Sequence, residues 1–475
     1  MLVIVCIAGL ALLFAGDTAW ICDEPRLIQN ALMANGNGVL VTHGLMGTQG
    51  TYYGPLVTWV YQVYLAISLN LVLLVLLRSL AMLTLTAGAL WIIARSMQVR
   101  TVGFAVALFS PFFWLYSRQI WDNSFCIPLA AWAVGGYSLF LTRKPRTGLG
   151  VCVLSCGALL LTHLMAVPII VAIALHAILT QRAKLLQARW WAIGGIAVIV
   201  AIGSGYWPVL LRGLQSGPPL QMPGADALIF TLKGGDWFGG VAFARIVGQE
   251  WLAAGSSILH ATLMAGGVVH GLVLLGFALA AYRVTKVLKR QVAATVADHL
   301  AGICLLTLLI QFLYYGSRNA IGHVHYYNAS WIVYAVLICM AITWMWSWRV
   351  GRWAAIAVIG MAVCTLAGLV LQIHRTGGTR SLTYGPTLEN QIEVAMALNQ
   401  LPAGTSLIPL VPDIARLPQR IIVLQKLLRS EGVPQGRMPQ PRAAYIVYSS
   451  PSPADGRIEV VLDWGGDAPN LIPRR

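Results

Sequence analysis

Apolar runs of about 20 residues recur from the start of the chain to about residue 373, separated by short polar turns. Each run can cross a hydrocarbon core about 30 Å thick. Backbone groups in lipid must be satisfied internally, so the runs predict helices; the short alternating segments of a barrel do not occur. A retained first helix is expected over Leu2–Ala15, which lacks the basic start and small-residue cleavage pattern of a signal peptide. Later crossings are expected at 79–94, 101–116, 125–142, 148–164, 166–181, 190–211, 257–282, 299–316, 329–347 and 354–373, about eleven in all. The stretch 56–77 is apolar enough to span, but a crossing there would break the parity of every later loop. It is read as re-entrant or interfacial, ending at Arg78.

Basic residues gather in clusters two crossings apart: Arg95 and Arg100; Arg143, Lys144 and Arg146; Arg182, Lys184 and Arg189; Arg283, Lys286, Lys289 and Arg290; Arg349 and Arg352. This is the positive-inside pattern, and it places loops 17–55 and 212–256 outside. No internal repeat of the kind common in transporters is evident. From Gly377 the pattern changes. Leu388–Leu401 and Leu417–Ser430 read as helices, and Ser406–Pro412, Ala443–Tyr448 and Arg457–Leu462 as strands. The expected architecture is an all-α polytopic membrane domain, 1–375, followed by a small α/β soluble domain, 376–475, on the outer face.

Composition agrees: 58% of residues are hydrophobic, 10% are charged, and mean hydropathy is +0.74. The net charge of +16 is accounted for by the inner clusters, so membrane lipids rather than nucleic acid are the expected partners. Eight cysteines lie almost entirely within apolar runs and have neither metal-ligand spacing nor a disulfide framework.

Acids are scarce, 16 against 32 Lys and Arg, and their placement is selective. Of those before the tail (Asp17, Asp23, Glu24, Asp122, Asp226, Asp236, Glu250 and Asp298), all but Asp298 fall outside. Asp23-Glu24 opens a predicted helix, where a carboxylate can simply cap exposed N–H groups. A pair with Asp17 nearby exceeds what a cap needs. The functional reading is a general base at Asp23, with Glu24 orienting it or binding a divalent cation. Tyr116-Ser-Arg118-Gln-Ile-Trp-Asp122 reads either as an interfacial belt or as a phosphate donor, Arg118, beside a second acid, Asp122. In Arg318-Asn-Ala-Ile-Gly-His323-Val-His325-Tyr326, a two-histidine metal site is weak without a third ligand; Arg318, His325 and Tyr326 read better as a phosphate-and-ring cradle. His163 joins them or serves as helix–helix glue.

The order of these motifs resembles the GT-C superfamily of integral-membrane glycosyltransferases, in the branch of the lipid A aminoarabinose transferase, protein O-mannosyltransferases and rhizobial lipopolysaccharide sugar transferases. The resemblance rests on Asp23-Glu24, Tyr52-Tyr53-Gly54-Pro55-Leu56, Leu77-Arg78, Ser110-Pro111, Tyr116-Ser117-Arg118, Asp122 and His325-Tyr326, and covers roughly residues 1–375. It implies a plasma (bacterial inner) membrane enzyme that takes a sugar from a polyprenyl-phosphate carrier on the outer face. The sugar would pass to a hydroxyl of a lipid, glycan or protein acceptor. By that resemblance Asp23 is the base, Glu24 assists it or a divalent cation, Asp122 is the second acid, and Arg118 and Arg318 hold the carrier phosphate. Tyr53 belongs to the substrate-binding set. The competing readings are a transporter or flippase of lipid-linked saccharides, which would need ionisable residues at mid-membrane, and a non-catalytic scaffold.

Overall fold

The computed structural model describes the chain except residues 1–8, 11, 22, 48–49, 143, 216–220, 235–256, 319–323, 382–383, 403–404, 412–416, 434–435, 437, 453–454, 464–469 and 472–475. Most of the expected first helix, Cys6, Cys22, Asp236, Glu250 and His323 lie outside the described residues. Six described helices are long and apolar enough to cross a membrane: Leu71–Met97, Asn123–Leu141, Arg182–Ile202, Ser257–Leu288, Val296–Ser317 and Arg349–Thr376. Shorter apolar helices include Pro145–Leu160, Leu164–Thr180 and Trp331–Trp346. The chain is a multi-pass membrane protein. On Arg182–Ile202 most large side chains, Ile193, Ile196 and Val200 among them, are exposed; a face this apolar is stable only against lipid.

Three expected spans differ. First, 56–77 is a short helix, α2 (Leu56–Ile67), and the crossing begins at Leu71, earlier than expected. Asn70 resets the chain: extended, it accepts the Leu73 amide on its side chain at 3.0 Å. Arg78 therefore lies within the helix rather than at its start. It is buried because its guanidinium donates to the carbonyls of Tyr116 and Ser117, at 3.3 and 2.8 Å. Second, 101–116 is broken into a 3₁₀ turn (Thr101–Phe104), Ala105–Leu108 and Pro111–Arg118. Pro111 cannot donate to a continuing helix, and the Ser110 hydroxyl caps a new one by accepting from Phe113. Third, 190–211 is two helices, Arg182–Ile202 and Trp207–Gln215, separated at Gly203. Asp298, the one acid expected inside, sits in a capping box with Thr295 and pairs with Arg283 at 2.7 Å.

The tail contains helices Leu388–Asn399 and Leu417–Ser430 against a four-stranded sheet. Strand β1 (Leu407–Pro409) runs parallel to β2 (Ala443–Tyr448). β2 is antiparallel to β3 (Ile458–Asp463), and β3 to β4 (Asn470–Leu471), an edge strand the pattern did not suggest. Its apolar core is shared with the first loop. Trp20, Leu27 and Ile28 pack in one cluster with Leu388, Leu398, Ile421 and Ile446. Backbone bonds join them: the Leu388 amide donates to Thr18 at 2.9 Å and that of Glu389 to Gly16 at 3.1 Å. Gln391 and Arg420 both donate to the Trp20 carbonyl, at 3.1 and 3.3 Å. Asp17 belongs here as well. Its carboxylate meets His374 at 2.9 Å, and the Tyr384 hydroxyl donates to its carbonyl.

Trp20 has no exposed surface. Trp20→Ala is expected to destabilise the fold by about 3–5 kcal/mol and to open the tail junction near residues 376–388 to limited proteolysis. An unchanged melting midpoint and digestion pattern would show that loop and tail are independent.

Candidate active site

The acidic loop ends at Asp23, where helix α1 (Glu24–Gly36) begins. The capping reading fails, because the Asp23 side chain makes no cap hydrogen bond. Its Oδ2 instead accepts the Trp121 indole N–H at 3.1 Å, and Oδ1 lies 3.8 Å from half-exposed Arg26. Glu24 is fully enclosed. Its Oε1 accepts from the Gln119 amide at 2.6 Å, and its Oε2 from the Ile21 backbone N–H at 3.2 Å. Loops 17–24 and 119–123 are thus clasped by two side-chain bonds, Gln119 to Glu24 and Trp121 to Asp23. Asp122 completes the group: Oδ1 accepts the Asn123 amide at 2.7 Å, while Oδ2 is buried without a hydrogen-bond partner.

Burial pushes the Glu24 carboxyl up to about 7. Asp122 is also raised to about 7, by burial first and then by the negative charge of Asp23. Two carboxylates this close resist ionising together. Asp23 is the most exposed of the three, and its negative charge favours the protonated form of Asp122.

Near the acids opens a small cavity, about 60 Å³, whose lining includes Tyr53, His163, Arg318 and Tyr326. Four of the six predicted substrate-binding residues therefore meet there. Tyr53 reaches it because Gly54 packs directly on the Leu161 carbonyl, an approach that leaves no room for a Cβ, and the Leu56 amide donates to that same carbonyl. The rings of Tyr53 and His163 lie 3.7 Å apart. His163 Nδ1 accepts the Met165 amide at 3.1 Å, and burial lowers the ring to about 3, so it is neutral with its proton on Nε2. Arg318 lies over Tyr314 at 4.8 Å, and Tyr326 stacks on Tyr315. The Tyr53 hydroxyl is raised by burial and then by the charges of Asp122, Tyr326 and Asp23; neither acid lines the cavity itself. His325, expected in the cradle, stacks instead on Trp121 at 4.7 Å, behind Asp23. The Asn328 amide donates to the Asn123 side chain at 2.9 Å, tying the late turn to Asp122.

Arg118 is placed differently from expectation. It is buried, donates to the Leu13 carbonyl at 2.7 Å and to that of Phe14, and lies over Trp114. It holds the turn at Leu13 and Phe14 and does not line the cavity. Each Glu24 oxygen already accepts one protein hydrogen bond. Among the described residues no three His, Cys, Asp or Glu side chains gather closely enough to share a metal ion. Sequence reading missed the partners Gln119 and Arg78. An arginine inside an apolar helix was the available signal for the second; for Gln119 there was none.

No family model and no curated protein matches the chain. Solved structures do. ArnT from Cupriavidus metallidurans in the apo state shares 13% identity over 94% of this chain and 92% of that one, with a TM-score of 0.54. The same protein bound to undecaprenyl phosphate shares 13% over 97% of each chain, with a TM-score of 0.53. The chain has the ArnT fold. The expected all-α polytopic architecture with a small C-terminal α/β region is borne out. The match to ArnT also runs beyond residue 375 into the tail, where the sequence suggested no relative.

Asparagine at 122 mimics the protonated acid. The raised carboxyl stabilises the fold below its unfolded value near 4 and loses that contribution as pH rises through about 7. The melting midpoint of Asp122→Asn relative to wild type should therefore climb between pH 4 and 7 and level off above. A difference that is flat with pH would contradict this burial.

Proposed function

We propose that the chain is an integral-membrane glycosyltransferase. It moves a sugar from a polyprenyl-phosphate carrier to a hydroxyl of a lipid, glycan or protein acceptor, on the extracytoplasmic face of a plasma (bacterial inner) membrane. The observation that carries this reading is the convergence of Asp23 and Asp122, from loops 98 residues apart at the Asp23–Trp121 bond, beside a cavity lined by Tyr53, His163, Arg318 and Tyr326. An ArnT structure bound to undecaprenyl phosphate supports the donor class.

In this mechanism Asp23 takes the acceptor hydroxyl proton, with Trp121 fixing its carboxylate. The acceptor oxygen forms a bond to the anomeric carbon as the bond from that carbon to the carrier phosphate breaks. The phosphate leaves with the electron pair, and the Arg318 guanidinium and the His163 Nε2–H stabilise its charge. Asp122, holding a proton near neutral pH, donates a hydrogen bond without adding charge beside Asp23. Glu24 touches no substrate; it positions the loop through Gln119 and Ile21. The ordinary ionisable chemistry gathers at one end of the helices, which disfavours a transporter.

The test is sugar transfer by the purified protein in nanodiscs from a panel of polyprenyl-phosphate sugars. Asp23→Asn should lower kcat about 10²- to 10⁴-fold with little change in donor KM. Arg318→Ala should raise donor KM about tenfold or more, as loss of a charged hydrogen bond does. Full activity of Asp23→Asn would sink the assignment, and carrier movement across the bilayer without transfer would favour a flippase.

A further inference from the structure

A second cavity, about 350 Å³, is lined by Arg100 and Arg352 together with Gln98, Thr343, Trp346 and Ser347. Two helices place it relative to the acids. In Leu71–Met97, Arg78 holds the loop before Asp122, and Gln98 follows 20 residues later, about 30 Å along the axis. In Arg349–Thr376, His374 meets Asp17, and Arg352 lies 22 residues earlier, about 33 Å away. Both helices put the cavity one hydrocarbon thickness from the acid end, at the opposite membrane surface.

Its chemistry is that of an interfacial anion site. Arg100 and Arg352 come from different turns, and no ion pair among the described residues involves either. Arg100 leans over the Trp346 ring at 6.0 Å, which orients its guanidinium on the cavity wall. The Thr343 hydroxyl and the Gln98 amide add neutral donors, while the Ser347 hydroxyl gives its proton to the Trp344 carbonyl at 2.6 Å. Val102 and Ile342 supply an apolar side continuous with the helix faces. Two guanidiniums outside any ion pair, a threonine hydroxyl and an apolar wall at headgroup depth match a phosphate joined to acyl chains better than a soluble anion.

We propose that this cavity binds the phosphate headgroup of an anionic phospholipid in the leaflet opposite the acid site. The full chain would be reconstituted in nanodiscs of equal phosphatidylglycerol and phosphatidylcholine, then released and weighed by native mass spectrometry. Wild type is expected to retain phosphatidylglycerol preferentially. An Arg100→Gln, Arg352→Gln double variant should retain it at least about tenfold less, the loss of charge-assisted hydrogen bonds to the headgroup phosphate. An Arg182→Gln, Arg189→Gln pair, equal in charge removed but outside the cavity, should retain it as wild type does; melting midpoints verify that all three fold. Equal retention of both lipids by wild type, or undiminished preference in the Arg100, Arg352 pair, would overturn the proposal. So would a melting midpoint raised in lipid-free detergent by inorganic phosphate, in wild type but not that pair, without any lipid preference: the site would then take soluble phosphate.

Discussion

A carboxylate with no exposed atom is expensive unless donors surround it, and in this chain Glu24 is the one around which the acid end is organised. Its two donors come from different directions, the backbone of its own loop and the side chain of Gln119. Satisfying it therefore requires the second loop to close on the first. Closure is what brings the Trp121 indole to Asp23 and Asp122 into the field of both acids. Arg78 secures the other half of the arrangement by gripping the last carbonyls of helix Pro111–Arg118, where a cation also complements the helix dipole. One buried charge and one buried cation thus fix the geometry of a loop pair that carries little secondary structure.

The membrane architecture was legible because apolar length and basic turns obey simple rules. Helices Ser257–Leu288, Val296–Ser317 and Trp331–Trp346 emerge where hydropathy put them, to within a few residues. The misplacements share a physical origin. At Asn70, Ser110 and Gly203, a single residue with cap or turn chemistry ends or restarts a helix inside an apolar run, and hydropathy averages over it.

Within the site, Tyr53, His163, Arg318 and Tyr326 were found because polar and aromatic residues in short turns of an apolar chain are conspicuous. Arg118 is conspicuous for the same reason, but a conspicuous arginine can serve a substrate or the backbone, and sequence does not say which. The carbonyls of residues 13 and 14 claimed it. Gln119 was invisible, since its role exists only through a contact 95 residues away.

The seam between the first loop and the tail bears on biosynthesis. Residues 16–20 take backbone bonds from Leu388, Glu389, Gln391 and Arg420, all far later in the chain. The helices can insert one by one before that segment is made, and the 119–123 loop can already clasp Asp23 and Glu24. The seam at residues 16–20 closes only after the segment from Leu388 to Arg420 has been synthesised and has reached the same side of the bilayer, so this end of the molecule is finished later than the helices that carry it.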